Sequence, residues 1–350
     1  MPNDRFPDHN DNPDRDKGRF DGITYLLIRT HPYDDGSEPL ASGLPFWVSP
    51  DITIVKSDGT EGSEAVAGKM NQMKVVVTNG GGIDAVDAYV EAFVADPSTA
   101  FTPATATPIG SGYLTVSGYS QAAISFPWSP APADSGHRCL LARVSLTIPP
   151  DRFANAAIFD VPGDRHVAQK NISVVDSAVH GMKPFSFSFA LVNPAPDAAA
   201  FQVKAAQIRP ADDKQLHMLR QSVGCGFAQF SDKPLRAVRL DLGEELPVRD
   251  RSDAIRMDLT IRSGRLDRFE RIEGIERIDR PLIGLLDNPI VPGRTGGAKK
   301  IRMKAGEVRQ AVVTITPNPG ARKGDLQVVE ITQVNERDQL VGGLWIVVVC

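Results

Sequence analysis

Short apolar runs, each broken by glycine, proline, aspartate or asparagine, dominate the chain from Pro50 to Val175. Met73 to Thr78 stops at Asn79-Gly80-Gly81-Gly82, Ala88 to Val94 at Ala95-Asp96-Pro97, and Cys139 to Ile148 at Pro149-Pro150. Runs of this length, rich in β-branched residues, predict antiparallel strands rather than helices. The candidates are 51–55, 69–78, 85–95, 114–116, 121–126, 138–148 and 168–175. Strands so spaced, with turn signals between them, predict an immunoglobulin-like sandwich over residues 49–177. The stretch 97–111, rich in Ala, Thr and Pro, reads as a surface connection.

A second sandwich is predicted over 178–350. Phe185-Ser-Phe-Ser-Phe-Ala190 alternates strictly, so Phe185, Phe187 and Phe189 share one sheet face. Further strands are expected at 201–205, 235–242, 254–261, 299–303, 307–316, 325–334 and 340–349. Trp345-Ile-Val-Val-Val349 is apolar enough to be central or buried on both faces. Leu216, Leu219 and Val223, after Pro210 and before Gly224, space out as the apolar face of one short helix. The fold class is therefore all-β, two immunoglobulin-like antiparallel sandwiches in tandem, with one helix and a long charged insertion.

Two segments lie outside that pattern. Residues 1–48 form a tail too polar to fold alone, followed by a leading strand at 23–29 that completes its own sheet or adds an edge to a neighbour. The insertion 262–299 places Leu266, Phe269, Ile272, Ile275 and Ile278 at every third position among charges. That period drifts about 60° per step around an α-helix, and it fails strand alternation too. It reads either as a charged surface insertion or as an arm whose apolar residues dock on another subunit.

Composition narrows function by exclusion. Charged residues are 23% of the chain and the net charge is −4, with both signs mixed, so nucleic acid has no electrostatic footprint here. No apolar run is long enough to cross a bilayer. The acidic start lacks a secretory signal, so the expectation is a cytoplasmic protein or a particle assembled in the cytoplasm, extracellular if a signal has been removed. Three cysteines, one to a segment, suggest no disulfide framework. His137 and Cys139, with His166 downstream, outline a zinc site by imagination only; a strand-entry histidine and a core thiol are the better account. Gly224-Cys225-Gly226 reads as a helix end rather than a catalytic thiol, and Asp58 to Glu64 as a hairpin turn rather than a calcium loop. No nucleophile elbow and no phosphate loop occur, so no cofactor or metal is expected. Among the three tryptophans, Trp47 in Pro45-Phe46-Trp47 is the one expected to be accessible.

At Val75-Val-Val-Thr78-Asn79-Gly80-Gly81, Phe126-Pro-Trp128-Ser-Pro130, His137 to Val144 and Arg165 to Ile172, the first sandwich resembles the CARDB family of bacterial immunoglobulin-like modules. In that resemblance Asn79-Gly80 makes a tight turn, Trp128 caps the core, and Asn171 bonds backbone in the final turn. The second half looks like accessory sandwiches of bacterial glycosidases and surface proteins, through Met303 to Glu307, Pro319 to Asp325 and Gly342-Gly343. The expectation is a non-enzymatic structural or assembly protein that binds copies of itself or other subunits. Its candidate contact residues are Ile23, Tyr25, Leu27, Trp47, Leu266, Phe269, Ile272, Ile275 and Ile278. The alternative is an adhesion module recognising glycan or protein at a bacterial surface.

Overall fold

The computed structural model describes residues 20–41, 43–132, 138–176, 183–209, 212–224, 228–231, 235–245 and 296–349. The first half folds as two facing sheets. One holds β1 (Leu26–Leu27), β2 (Ile52–Val55), β3 (Glu61–Gly62), β4 (Asn71–Asn79) and β7 (Ser120–Trp128). β7 pairs with β4 along its whole length, while β2 and β1 share the other edge of β4 in succession. The second sheet runs β6 (Thr107–Val116), β5 (Ala85–Ala95), β8 (Cys139–Ser145), β9 (Val167–Lys170), all antiparallel. Alternation decides the interior: Met73, Val75 and Val77 from one sheet meet Val90, Ala92, Leu140, Ala142 and Val144 from the other.

Two expectations change here. The leading strand is shorter than 23–29 and pairs with its own sheet. The supposed surface connection 97–111 ends inside β6, where Thr107 to Ser111 pair with β5. Glycines at 110 and 112 hid that strand from a pattern of β-branched residues. They are required because Phe126 and Ile124 of β7 press within 3.0 Å of where a Cβ would stand.

The expected closing strand 168–175 is two strands. β9 ends at Lys170, the chain steps through Asn171, and β10 (Ile172–Asp176) joins a different sheet, parallel to β18 (Leu340–Val349). That sheet continues through β17 (Asp325–Asn335) and β12 (Ala199–Ile208) to β15 (Gly296–Met303), with β13 (Gln229–Phe230) beside β17. Its partner sheet is β11 (Phe185–Val192), β16 (Val308–Thr316), β14 (Ala237–Glu245). Phe185 and Phe189 are buried and Phe187 partly so, on one face as alternation requires. Helix α1 (Asp213–Val223) is capped by Asp212, which accepts from Gln215 N–H at 2.9 Å, and ends at Gly224 in the left-handed region. Its buried side is Gln215, Met218, Leu219 and Ser222, a fraction of a turn from the expected stripe.

A third core joins the halves. The outward residues of β5 and β8 (Phe93, Ala95, Cys139, Leu141) cluster with the outward residues of β17 and β18 (Leu326, Val328, Trp345, Val347). Phe46, Trp47 and Val48 and the helix residues Met218 and Leu219 complete it. β18 is therefore buried on both faces, as its apolar run predicts. The sheets are stacked in four layers about three cores. The expected strand at 254–261 lies outside the described residues.

Candidate functional site

The residues expected to make contacts have separate fates. Ile23 is exposed at 48%, Tyr25 is half-buried, and Leu27 is buried. Trp47 is fully buried, which corrects the expectation of an accessible indole. Its ring covers Gly343, where a Cβ would meet it at 2.6 Å, so it is an internal wedge between sandwiches and cannot serve as a sugar platform. Leu266, Phe269, Ile272, Ile275 and Ile278 lie outside the described residues, as do His137 and Cys225. Trp128 is partly buried against the first core, in keeping with a cap.

Two of the imagined zinc ligands are far apart. Cys139 begins β8 opposite Ala95, whereas the His166 carbonyl accepts from Val144 N–H near the other end. Five strand residues separate those points, about 17 Å. Cys139 points into the third core, and burial pushes its thiol well above the usual range.

His166 instead centres a charged knot that sequence reasoning missed. Its Nδ1 lies 2.7 Å from Asp164 and its Nε2 2.8 Å from Asp151. Burial opposes its charged form, but the two carboxylates outweigh burial and raise the pKa above the ordinary histidine value. Asp151 also accepts from Leu26 N–H at 2.7 Å and from Arg165 at 2.6 Å. Arg165 pairs with Glu38 and stacks over the Tyr25 ring at 4.2 Å. Glu38, Asp164 and His166 offer ligand atoms within 4.8 Å of one another. A metal needs a bare imidazole lone pair, and both nitrogens here face carboxylates. The arrangement is an ion-pair staple fastening the leading segment to the loop before β9.

The junction has its own polar fittings. Asn171 Nδ2 donates to Ser98 O at 2.8 Å and Gly343 O at 3.0 Å, its N–H donates to Trp47 O, and its carbonyl accepts from Trp345 N–H. The expected backbone role of Asn171 is met, but across sheets rather than within one turn. Thr99 accepts a backbone bond role of its own: its N–H donates to Ala190 O at 3.0 Å, and its Oγ1 bonds Gln333 Oε1 at 2.6 Å. A Cβ at Gly342 would fall on the Thr99 carbonyl. His31, buried in the leading segment, sits 3.3 Å from the Gln215 amide of α1, and burial lowers its pKa to about 4. Glu330 of β17 accepts from Trp345 Nε1–H at 2.9 Å, and burial raises it to about 7.

The carboxylates of the 58–64 hairpin are used singly. Asp58 caps Thr60, Glu61 pairs with Lys74, and Glu64 accepts from Val174 N–H at 2.8 Å. A small cleft between Ser63, Glu64, Trp128, Pro130 and Arg138 has room for one water-sized guest.

Among the described residues, four sheets that are antiparallel but for the β10–β18 and β13–β17 pairs, with one helix, define an all-β, immunoglobulin-like fold. No protein-family model matches the chain, and no curated protein does. Among solved structures it is similar to a CARDB domain from Pyrococcus furiosus crystallised with di-metal ions. The identity is 17% over 30% of this chain and 76% of that one, with a TM-score of 0.22. The solution structure of that domain gives 19%, 36%, 94% and 0.23 on the same measures. The collagen adhesin of S. aureus is 9% identical over 88% of this chain and 95% of that chain, TM-score 0.22. These likenesses to CARDB domain structures cover only part of the chain.

Proposed function

We propose that this protein is a non-enzymatic assembly module, a rigid body that associates with copies of itself or with other subunits. The observation that supports it most is the third core. Twenty buried residues, from Phe46 to Val347, weld the two sandwiches together where flexibly linked domains would share a small polar contact. A second observation agrees. Among the described residues, the buried titratable groups His166, Asp151, Asp164 and Glu330 are engaged in bonds inside the fold.

The insertion is rooted on this body. β14 ends at Glu245 and β15 begins at Gly296, and these two strands pack against each other where the two sheets of the second sandwich meet. Light scattering on the full chain, with and without residues 246–295, tests the reading. A strict monomer at every concentration counts against it.

Recognition of glycan or protein at a bacterial surface is the second reading. It draws on Tyr113, 69% exposed on β6 and 5.2 Å from Tyr89, beside the Glu91–Arg143 ion pair. Binding on a glycan array that disappears in Tyr113→Ala would favour it over assembly.

A further inference from the structure

Five exposed apolar side chains gather at one end of the first sandwich: Ile23, Ile83, Val86, Tyr119 and Ile148. Backbone bonds tie their loops together. Ile83 N–H donates to Ile23 O at 3.2 Å, Gly82 N–H to Phe20 O at 2.9 Å, and Tyr119 N–H to Gly81 O at 2.9 Å. Ile148, 82% exposed, sits in the turn after β8 that Leu146 and Asp151 close, and Asp151 is fastened to Leu26. Three residues past the Tyr89–Ser145 pair, Val86 and Ile148 reach the same end. This end points away from the third core, which β5 and β8 enter through Ala95 and Cys139. A rigid apolar crown left exposed among the described residues is an interaction surface by its chemistry.

Charge indicates what fits. Asp21, Asp84 and Asp87 rim the crown, Asp84 accepting from Gly118 N–H at 2.8 Å and Asp21 from the Tyr119 hydroxyl. Arg152 is a cation at its margin, bonded to the Leu146 and Thr147 carbonyls. The complementary partner is apolar with arginines around it. Residues 262–271 of this chain have that composition. Leu266 and Phe269 stand among Arg262, Arg265, Arg268 and Arg271, four cations against Asp267 and Glu270. We propose that the crown of one copy takes the 262–271 segment of a second copy, head to tail. This rests on the assembly reading above and names its two surfaces. Such an interface is heterologous, so it builds chains rather than closed pairs.

Mutual rescue tests it in the full-length protein. The crown variant is Ile83→Asp with Val86→Asp, and Ile148→Asp serves as a second crown variant should the first melt early. The arm variant is Leu266→Asp with Phe269→Asp. Sedimentation velocity is expected to show wild type growing with concentration and each variant alone weakened about tenfold or more. An equimolar mixture of crown and arm variants is expected to stop at a dimer, since one intact crown meets one intact arm. If wild type assembles but the crown variants assemble equally well, this inference fails and the assembly reading stands. If crown variants are monomeric while the arm variant still assembles, the occupant is another crown and the head-to-tail pairing is wrong. A monomeric wild type removes both.

Discussion

Glu330→Gln is the sharpest test of the junction. Glu330 is 2% exposed at the third core; Oε1 accepts from Trp345, and Oε2 has no hydrogen-bond partner among the described residues. Burial raises its pKa from 4.5 to about 7, with the Trp345 bond opposing. The unfolded carboxyl therefore loses its proton well before the folded one does. Between those values the folded state binds more protons, so stability falls as pH rises. At 1.36 kcal/mol per unit, the folded state forfeits about 1 kcal/mol at pH 5 and about 3 kcal/mol by pH 8. Among the described residues, the facing strand β18 presents Trp345 and Gly343 to it, and Trp47 lies over Gly343. On β12, Lys204 stands opposite Thr332, two pairs along, and burial lowers its own pKa. His31 has the opposite sign. Its pKa falls from 6.5 to about 4, so it stabilises progressively as pH rises through that window and masks the Glu330 slope in wild type. The difference between Glu330→Gln and wild type isolates the effect. Urea unfolding followed by tryptophan fluorescence should show the glutamine variant gaining about 2–3 kcal/mol on wild type between pH 5 and pH 8. An offset constant to about 0.5 kcal/mol across that range would refute the argument.

Other expectations concern the same weld and the charged knot. Gly342→Ala puts a methyl onto the Thr99 carbonyl, so calorimetry should split one unfolding transition into two or lose about 3 kcal/mol. Asn171→Ala strips donors from Ser98 O and Gly343 O and should cost about 2–3 kcal/mol, with faster hydrogen exchange at Trp345 N–H. His166→Ala leaves Asp151 and Asp164 without their shared cation and should cost about 3–5 kcal/mol at neutral pH. Because His166 titrates above its unfolded value, the stability it supplies is fully present below about pH 6.5 and fades as pH rises through the higher folded value. The wild-type minus His166→Ala difference should therefore shrink on the alkaline side.

Much of the fold is legible in the chain because strands carry their own period. The alternation at Phe185, Phe187 and Phe189 predicts their shared face, and Trp345 to Val349 predicts a strand covered twice. What alternation cannot carry is the identity of the covering layer. Trp47 follows a proline in a stretch with no period, so local pattern marks it as loop and accessible, while a partner nearly three hundred residues away buries it. The strand candidate 168–175 fails for a related reason. No glycine or proline breaks the chain at Asn171, yet the pairing partner changes there from β8 to β18. The knot at His166 was illegible because Asp151 stands fifteen residues back in the same β8–β9 connection, Glu38 belongs to the leading segment, and no periodicity links them.

Gly342-Gly343 shows what the sequence did contain. A glycine pair inside an otherwise apolar strand weakens that strand, losing side-chain packing and backbone order, unless another backbone or ring must come close. Here Thr99 occupies the space over one glycine and the Trp47 ring the space over the other. The two approaches come from the first half of the chain, so the pair records contact between halves. Gln333, opposite Gly342, completes the fitting by donating from Nε2 to Val192 O. A body welded this way holds the crown and the two roots of the insertion, Glu245 and Gly296, in fixed relation. That fixed relation is what head-to-tail growth needs, because a flexible joint would let each added copy close back on the last.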